Sequence, residues 1–330
     1  MKKFLLFCLS VLLCTLVYAQ TSEIPPVNPN ATPEAEKLLS RLYKSVEEGK
    51  IISGLHHNQL MMPNYVYDLE RIKEASSKTP MIWGGDLAWD ARQVVEIATR
   101  EYNKGRIVTL MWHVNRPFDR TARVDFKHQT QGEFTQSQWD ELVTEGSEMH
   151  GMWLEQVDSI SNYLKILKDR NIPVLWRPYH EMNGEWFWWG DRRGENGFKK
   201  LWRMLYERMV DYHHLDNLIW VWNANAPRVI PNDTAMAYDL YYPGHQYVDV
   251  LATDVYHNDW PVATPLLLGQ IRAQRDEVRQ NGDDVNDVHD VFEEEGLAGT
   301  SKAANHKLER KPHDAHCLHD EEGVVEDRVP

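Results

Sequence analysis

The chain has 330 residues and carries a formal net charge of −14. This length allows a single large domain, because a (β/α)8 barrel typically has about 250 residues in one domain. The negative charge argues against a nucleic acid or an anionic membrane as partner, so a neutral polymer fits this chain better than a polyanion.

The first 19 residues have the features of a secretory signal peptide. Two lysines precede an apolar run, and the small residue Ala19 precedes the expected cleavage site. We therefore expect a secreted or periplasmic protein that begins at Gln20. Lipid attachment at Cys14 is the alternative, although two leucines precede it where small residues are usual. Removal of this segment leaves only Cys317, so no intramolecular disulfide is expected, and no other stretch is apolar enough to span a membrane.

A Pro- and Asn-rich lead-in at residues 20–33 is followed by a regular alternation of elements. Apolar periodicity predicts a helix from Pro33 to Gly49. Strands are predicted at residues 51–55, 80–86, 106–113, in the run that starts at 172, and at 217–225 and 248–256. Helices are predicted between them at residues 67–77, 91–104, 152–170 and 198–213, and a long loop is predicted around Trp139.

Six apolar strands that alternate with helices predict a parallel sheet with crossover helices. Polar residues near the ends of these strands favour a closed barrel, because the carboxyl ends of barrel strands meet at one rim, where active sites lie. These residues are His56, Asp86, His113, Glu181, Asn223 and Tyr256. No glycine-rich phosphate loop follows a strand. We predict an α/β fold of the (β/α)8 TIM-barrel type, with the barrel domain at residues 34–260.

The most informative stretch is IPVLWRPYHEMNGEWFWWG at residues 172–190. It begins as a buried strand and continues into a polar and aromatic loop. Apolar surroundings should raise the pKa of the Glu181 carboxyl, which suits proton transfer near neutral pH. The aromatic rings offer flat surfaces to a sugar, a cation or a nucleobase. A structural ion pair between Arg177 and Glu181 is the alternative interpretation.

The run RPYHEMNGEWFWWG resembles the signature of glycoside hydrolase family 26, whose best-known members are β-mannanases. The resemblance implies retaining endo-hydrolysis of β-1,4-mannosidic bonds in mannan or galactomannan. It implies that Glu181 is the catalytic acid/base and that His180, the residue before it, helps to bind the substrate. It also implies that Trp186 stacks on sugar beside the cleavage site and that Arg177 steadies the strand-end carboxylates by a bidentate contact.

Three further residues match the family at the strand ends. His113 in the pair Trp-His corresponds to a residue that helps to hold sugar, Asp86 in GGDLAW corresponds to a similar loop, and Tyr256 in TDVYHND corresponds to a tyrosine that contacts the nucleophile. Each also has a structural interpretation as a buried hydrogen-bonding or turn-stabilising residue. Because the family includes xylanases and β-glucanases, those substrates stay open alternatives to β-mannan.

The resemblance covers residues 31–260 and then stops. Retention requires a second carboxylate about 5 to 5.5 Å from the first, and the family takes it from strand seven, which is not recognisable after Tyr256. Residues 261–330 form an acidic segment with the composition of disorder, as a shifted reading frame or a truncation would produce. The barrel is therefore predicted to be incomplete, with six βα units, and the nucleophile is unknown, with Glu295 as the nearest substitute.

This departure gives two further hypotheses: a catalytically inactive carbohydrate-binding protein, and a surface protein of a polysaccharide system whose acidic tail binds partners. No cofactor or metal is predicted, because the adjacent His56 and His57 point to opposite faces of a strand and no other spacing supplies convergent ligands. We expect a monomer.

Overall fold

The structure of the chain is a computed structural model that describes residues 24–56, 65–119, 125–226 and 237–255, with backbone alone at 65–68. All of these belong to one unit of the chain, Met1–His289, and the second unit, Asp290–Pro330, contains none of them. The predicted signal peptide, His57, Tyr256 and the acidic segment lie outside the described residues.

Helices and strands alternate as the sequence predicted. The helices are α1 (Pro33–Glu47), α2 (Tyr65–Ser76), α3 (Ala91–Asn103), α4 (Gln136–Leu142), α5 (Glu148–Asp169) and α6 (Phe198–Glu207). The strands are β1 (Gly54–His56), β2 (Ile82–Asp86), β3 (Ile107–Trp112), β4 (Val174–Pro178), β5 (Leu218–Asn225) and β6 (Val250–Asp254). Short π-helical turns cover Phe126–Thr130 and Arg208–Tyr212, and 3-10 turns cover Tyr238–Leu240 and His245–Tyr247.

The six strands form one parallel sheet in chain order, from β1 to β6. Each strand lies beside its predecessor in the chain, which is the order that successive βαβ units produce. The sheet curls into a half-barrel, which confirms the predicted incomplete TIM-barrel type. Among the described residues, no helix is both long and apolar enough to cross a membrane.

The two faces of the sheet carry different hydrophobic clusters, because successive strand side chains point to opposite sides. On one face, strand residues pack against α1; this cluster contains Ala35, Leu38, Leu39, Ile107, Leu175, Ile219 and Val221. On the other face, a larger cluster joins the strands to helices α3 to α6, and it includes Trp83, Trp176, Trp220 and Trp222.

Four polar residues continue the α1-facing side of the sheet toward the carboxyl ends of the strands. Asp86, Arg177, Asn223 and Asp254 each lie an even number of residues after an apolar residue of that side in the same strand. They therefore share one face. Because the strands are also parallel, their carboxyl ends lie along one edge of the sheet, and the four residues lie together at that rim.

The region around Trp139 is helical, so the predicted loop is wrong there. Helix α4 begins with a capping box, in which the Thr135 side chain accepts from the Gln138 backbone N–H and the Gln138 side chain accepts from the Thr135 backbone N–H. Trp139 is buried and its indole N–H donates to the Asn196 carbonyl at 2.9 Å. Seven residues are too few to show helical periodicity, but the Thr-x-x-Gln spacing was a usable signal.

Candidate active site

Glu181 lies three residues after the end of β4, in a backbone conformation that few side chains adopt. Its φ is +55°, in the left-handed region, and that of Tyr179 is +46°. Each such residue costs about 1–3 kcal/mol and persists only where its surroundings fix it. Here the Glu181 N–H donates to the Asn223 carbonyl at 2.7 Å, and the Gly184 N–H donates to the Glu181 carbonyl at 3.1 Å. The loop is thus tied to the end of β5.

The side chain of Glu181 is buried, with 6% of the residue exposed. The indole N–H of Trp186 donates to its Oε2 at 2.7 Å. The Trp186 ring packs directly over Gly184, where a β-carbon would lie 2.1 Å from a ring carbon. Glycine at position 184 is therefore needed to keep this tryptophan against the carboxyl group.

Asp86 orients the ring of His113. Its Oδ2 lies 2.6 Å from His113 Nδ1, and its Oδ1 accepts from the backbone N–H groups of His113 at 3.2 Å and Ala88 at 3.0 Å. The His113 ring meets the ring of His180 edge-on, with centroids 4.4 Å apart. Asp86 is thus linked through His113 to the residue that precedes Glu181.

His180 is a buried, neutral imidazole. Burial lowers the pKa of its side chain well below the ordinary value of 6.5, and the positive charge of Arg177 and the neighbouring His113 and His56 lower it further. Its Nδ1 has no hydrogen-bond partner within the described part of the chain. A neutral imidazole beside Glu181 can accept a hydrogen bond from, or donate one to, a sugar hydroxyl.

Arg177 connects the ends of four strands. Its Nη1 donates to Asn223 Oδ1 at 2.7 Å and lies 3.1 and 3.2 Å from the two carboxylate oxygens of Asp254, while Nη2 lies 3.1 Å from Met111 Sδ. Arg177 therefore contacts a strand-end carboxylate, on Asp254. One nitrogen spans both oxygens, in place of the predicted two parallel N–H bonds.

Two features of the site were missed in the sequence. Asp254 lies at the end of β6 on the same face as the other rim residues, and its position two residues before Tyr256 was the available signal. Asn183 is fully buried and pairs with Asn225: its Oδ1 accepts from the Asn225 N–H at 2.7 Å and its Nδ2 donates to the Asn225 carbonyl at 2.8 Å. This pair holds the loop after β4 against β5.

One group of described residues has the ligand types of a metal site. His180, Glu181 and Asp254 present ligand atoms that lie within 4.8 Å of one another. The guanidinium of Arg177, whose Nη1 lies 3.1 Å from a carboxylate oxygen of Asp254, opposes a cation at this place. A pair of carboxylates with a neutral imidazole describes the trio better.

The structure brings together six of the predicted site residues and leaves one outside. Contacts link Asp86 with His113, His113 with His180, and Glu181 with Trp186, while Arg177 meets Asp254. Phe187 and Trp189 are buried and stack on each other with centroids 4.4 Å apart, so they pack the loop. Tyr256 lies outside the described residues, so its predicted contact with a nucleophile stays a prediction.

Comparisons with known proteins place the chain in a family. Residues 27–270 match the family model of glycosyl hydrolase family 26. The mannan endo-1,4-beta-mannosidase A of Piromyces sp is 33% identical over 245 residues, which are 71% of this chain and 37% of that protein. The mannan endo-1,4-beta-mannosidase of Bacillus subtilis (strain 168) is 29% identical over 274 residues, covering 75% of this chain and 71% of that one.

Solved structures show the same architecture. GH26A from Muricauda sp. superposes with a TM-score of 0.69 at 44% identity, covering 76% of this chain and 80% of that one. A beta-mannanase from a symbiotic protist of the termite Reticulitermes speratus, complexed with gluco-manno-oligosaccharide, superposes with a TM-score of 0.64 at 29% identity, covering 76% and 78%.

The match with the Piromyces and Thermothelomyces thermophilus relatives spans only 37–47% of their lengths. The family model, however, covers most of this chain, and the fold agrees with it. The chain therefore belongs to glycosyl hydrolase family 26.

Proposed function

We propose that the protein is a glycoside hydrolase that cleaves β-1,4-mannosidic bonds within mannan or galactomannan with retention. The observation that carries the proposal is the buried carboxyl group of Glu181, held by the Trp186 indole N–H at the carboxyl end of β4. The mannan endo-1,4-beta-mannosidases among the relatives and the gluco-manno-oligosaccharide of the termite-symbiont enzyme support a mannan-type substrate.

In this proposal Glu181 is the acid/base. Its carboxyl group protonates the glycosidic oxygen as the bond to the anomeric carbon breaks, and its carboxylate then takes a proton from the attacking water. Trp186 fixes the carboxyl group through Oε2 and presents its ring to the sugar. His113 and His180 contact sugar hydroxyl groups, with Asp86 holding His113 in place.

Retention also requires a second carboxylate. Asp254 presents an oxygen within 4.8 Å of an oxygen of Glu181, so the two carboxyl groups are neighbours, as the carboxyl pair of a retaining enzyme must be. Arg177 Nη1 spans both oxygens of Asp254, however, which makes Asp254 a charged partner of Arg177 rather than a group free to attack carbon. The proposal leaves the nucleophile unassigned; Glu295 lies outside the described residues.

The release of reducing ends from galactomannan tests the proposal. We expect the wild-type chain to release them and Glu181→Gln, which keeps the side-chain shape but cannot transfer the proton, to lose at least a hundredfold in rate. Glu185→Gln is the matched control, because the same change is made at an exposed carboxylate four residues away. Equal rates in the Glu181 and Glu185 variants would contradict the proposal. Xylan and β-glucan, assayed in parallel, test the other substrates.

A catalytically inactive carbohydrate-binding protein is the second candidate. It is favoured by the composition of residues 261–330, where the strand-seven glutamate of the family is not recognisable. Such a protein would be retained on insoluble mannan without releasing reducing ends. Its binding would survive Glu181→Gln, because an amide keeps the hydrogen-bonding capacity of the site.

We also propose that the chain is exported to the cell exterior or the periplasm after cleavage behind Ala19, and that it is monomeric. Mass spectrometry of the protein recovered from the culture medium and the periplasm should give an amino terminus at Gln20. A lipid-modified Cys14 recovered from membranes would replace this proposal with the lipoprotein alternative.

A further inference from the structure

The peptide group between His180 and Glu181 is held from both sides. The Glu181 N–H donates to the Asn223 carbonyl at 2.7 Å, and the His180 carbonyl accepts from the indole N–H of Trp189 at 2.9 Å. Trp189 is fully buried. A hydrogen bond is stronger in such surroundings than in water, so the indole restrains the peptide group that immediately precedes the candidate acid/base.

This restraint acts on a backbone conformation that is unfavourable by itself. The φ of Glu181 is +55°, in the left-handed region, and such a conformation persists only where the surroundings fix it. Rotation about φ turns a side chain relative to the preceding chain, so a change in φ of Glu181 moves its carboxyl group relative to β4. The two hydrogen bonds of the peptide group therefore help to keep Glu181 where its Oε2 accepts from the Trp186 indole.

The loop after β4 folds back on itself to bring Trp189 to this position. The Asp191 N–H donates to the Met182 carbonyl at 3.0 Å, which closes the loop. Gly190 lies so near Gly184 that a β-carbon at position 190 would meet the Gly184 carbonyl oxygen at 2.1 Å. The backbone on the carboxyl side of Trp189 is therefore fixed against the residues that follow Glu181.

Aromatic neighbours hold the ring of Trp189. It stacks on Phe187 with centroids 4.4 Å apart and planes inclined by 17°, and it meets the rings of Tyr179 and Trp188 at 5.5 and 5.6 Å. Dense packing of this kind leaves the indole little room to turn. Phenylalanine at position 189 keeps an aromatic ring for the stack but has no N–H to donate, so Trp189→Phe removes the hydrogen bond and little else.

We propose that Trp189 is a positioning residue for proton transfer: its indole N–H, through the carbonyl of His180, sets the direction of the Glu181 carboxyl group. The inference rests on the proposed function, because that function makes Glu181 the donor of a proton to the glycosidic oxygen. Trp189 itself is fully buried and does not reach the substrate. Loss of its N–H therefore weakens protonation of the leaving group, while the sugar contacts of His113 stay.

Two aryl β-mannobiosides separate protonation from the other steps. Dinitrophenolate leaves without a proton, whereas phenolate needs one from the acid. We expect kcat/KM of Trp189→Phe to fall by more than about thirtyfold on the phenyl glycoside and by less than about threefold on the dinitrophenyl glycoside.

Trp202→Phe is the matched control. Trp202 is also fully buried, and its indole N–H donates to the Tyr247 carbonyl at 3.0 Å, in the 3-10 turn that precedes β6. The control therefore loses a buried indole-to-carbonyl hydrogen bond of the same kind at another place. We expect its kcat/KM to stay within about threefold of wild type on both glycosides.

Amide hydrogen exchange, followed by NMR, measures the backbone without any catalysis. The Glu181 N–H forms the other hydrogen bond of the restrained peptide group. We expect it to exchange at least about tenfold faster in Trp189→Phe than in wild type, and less than about threefold faster in Trp202→Phe.

The outcomes separate the positioning role from the function on which it rests. Equal losses on the two glycosides, or no loss on either, overturn the role of Trp189 while the proposed function stands. Exchange at Glu181 that is no faster in Trp189→Phe than in Trp202→Phe overturns it as well, because the indole would then not restrain the peptide group. If the wild-type protein cleaves neither glycoside, the proposed function fails, and the role of Trp189 in proton transfer fails with it.

Discussion

Replacement of Asp86 by Asn probes how the site holds His113. The carboxylate accepts from two backbone N–H groups through Oδ1 and contacts His113 Nδ1 at 2.6 Å through Oδ2. The amide of Asn has one acceptor and one donor end. If its oxygen keeps the two backbone bonds, its NH2 group faces Nδ1, and His113 must then carry its proton on Nε2.

The substitution thus removes one charge-assisted hydrogen bond between buried groups, which is worth about 1.5 to 3 kcal/mol. Because Asp86 is only 4% exposed, water cannot readily replace the lost hydrogen bond to His113. We expect the free energy of unfolding to fall by up to this amount. If His113 holds sugar in the transition state, kcat/KM on galactomannan should fall by about ten- to a hundredfold.

Urea denaturation followed by tryptophan fluorescence measures the first quantity, and initial rates of reducing-end release measure the second. Asp140→Asn is the matched control, because it makes the same change at an exposed carboxylate on α4, which accepts from Gln136 Nε2 at 2.8 Å. Wild-type stability and wild-type kcat/KM in Asp86→Asn would refute the inference that Asp86 positions His113.

Two further substitutions test the loop after β4 and the pH dependence of stability. Gly184→Ala places a methyl group 2.1 Å from the Trp186 ring. We therefore expect the indole to move away from the Glu181 carboxyl group and the rate of reducing-end release to fall more than tenfold. An unchanged rate would contradict the inference that glycine is needed here. Burial raises the pKa of Asp249 from 3.8 to about 6, although Val27 and Trp220 N–H groups each donate to it at 2.7 Å. Its stabilising contribution is therefore full below pH 3.8 and lost as pH rises through 6. Asn at position 249 cannot lose a proton, so the free energy of unfolding of Asp249→Asn in urea, relative to that of wild type, should rise from pH 4 to pH 7. A difference between the two proteins that does not change with pH would count against this.

The strands were predictable because burial on both faces leaves a clear pattern. The apolar run at residues 217–225 corresponds to β5, Leu218–Asn225, which is buried along its whole length. Helix α4 was missed because seven residues give too few turns for periodicity, and its stability depends on burial of Trp139 and on the capping box at Thr135. Tertiary packing, which no local pattern records, decides such short elements.

The sequence predicted which residues form the candidate site better than it predicted which of them contact each other. The rule that strand ends meet at one rim gathered Asp86, His113 and Glu181, and the family resemblance supplied Trp186. Which charges would pair could not be derived in the same way. The contact between Arg177 in β4 and Asp254 in β6 joins residues that are 77 positions apart in sequence. It depends on the register and curvature of the sheet.

The acid/base assignment of Glu181 is tested most directly by chemical rescue. Glu181→Ala should turn over an aryl β-mannoside with a good leaving group only slowly, because no group remains to activate water. Added azide, which needs no general base, should restore turnover and give the mannosyl azide of retained, β configuration. If Glu181→Ala instead releases reducing ends from galactomannan at the wild-type rate without azide, Glu181 is not the acid/base.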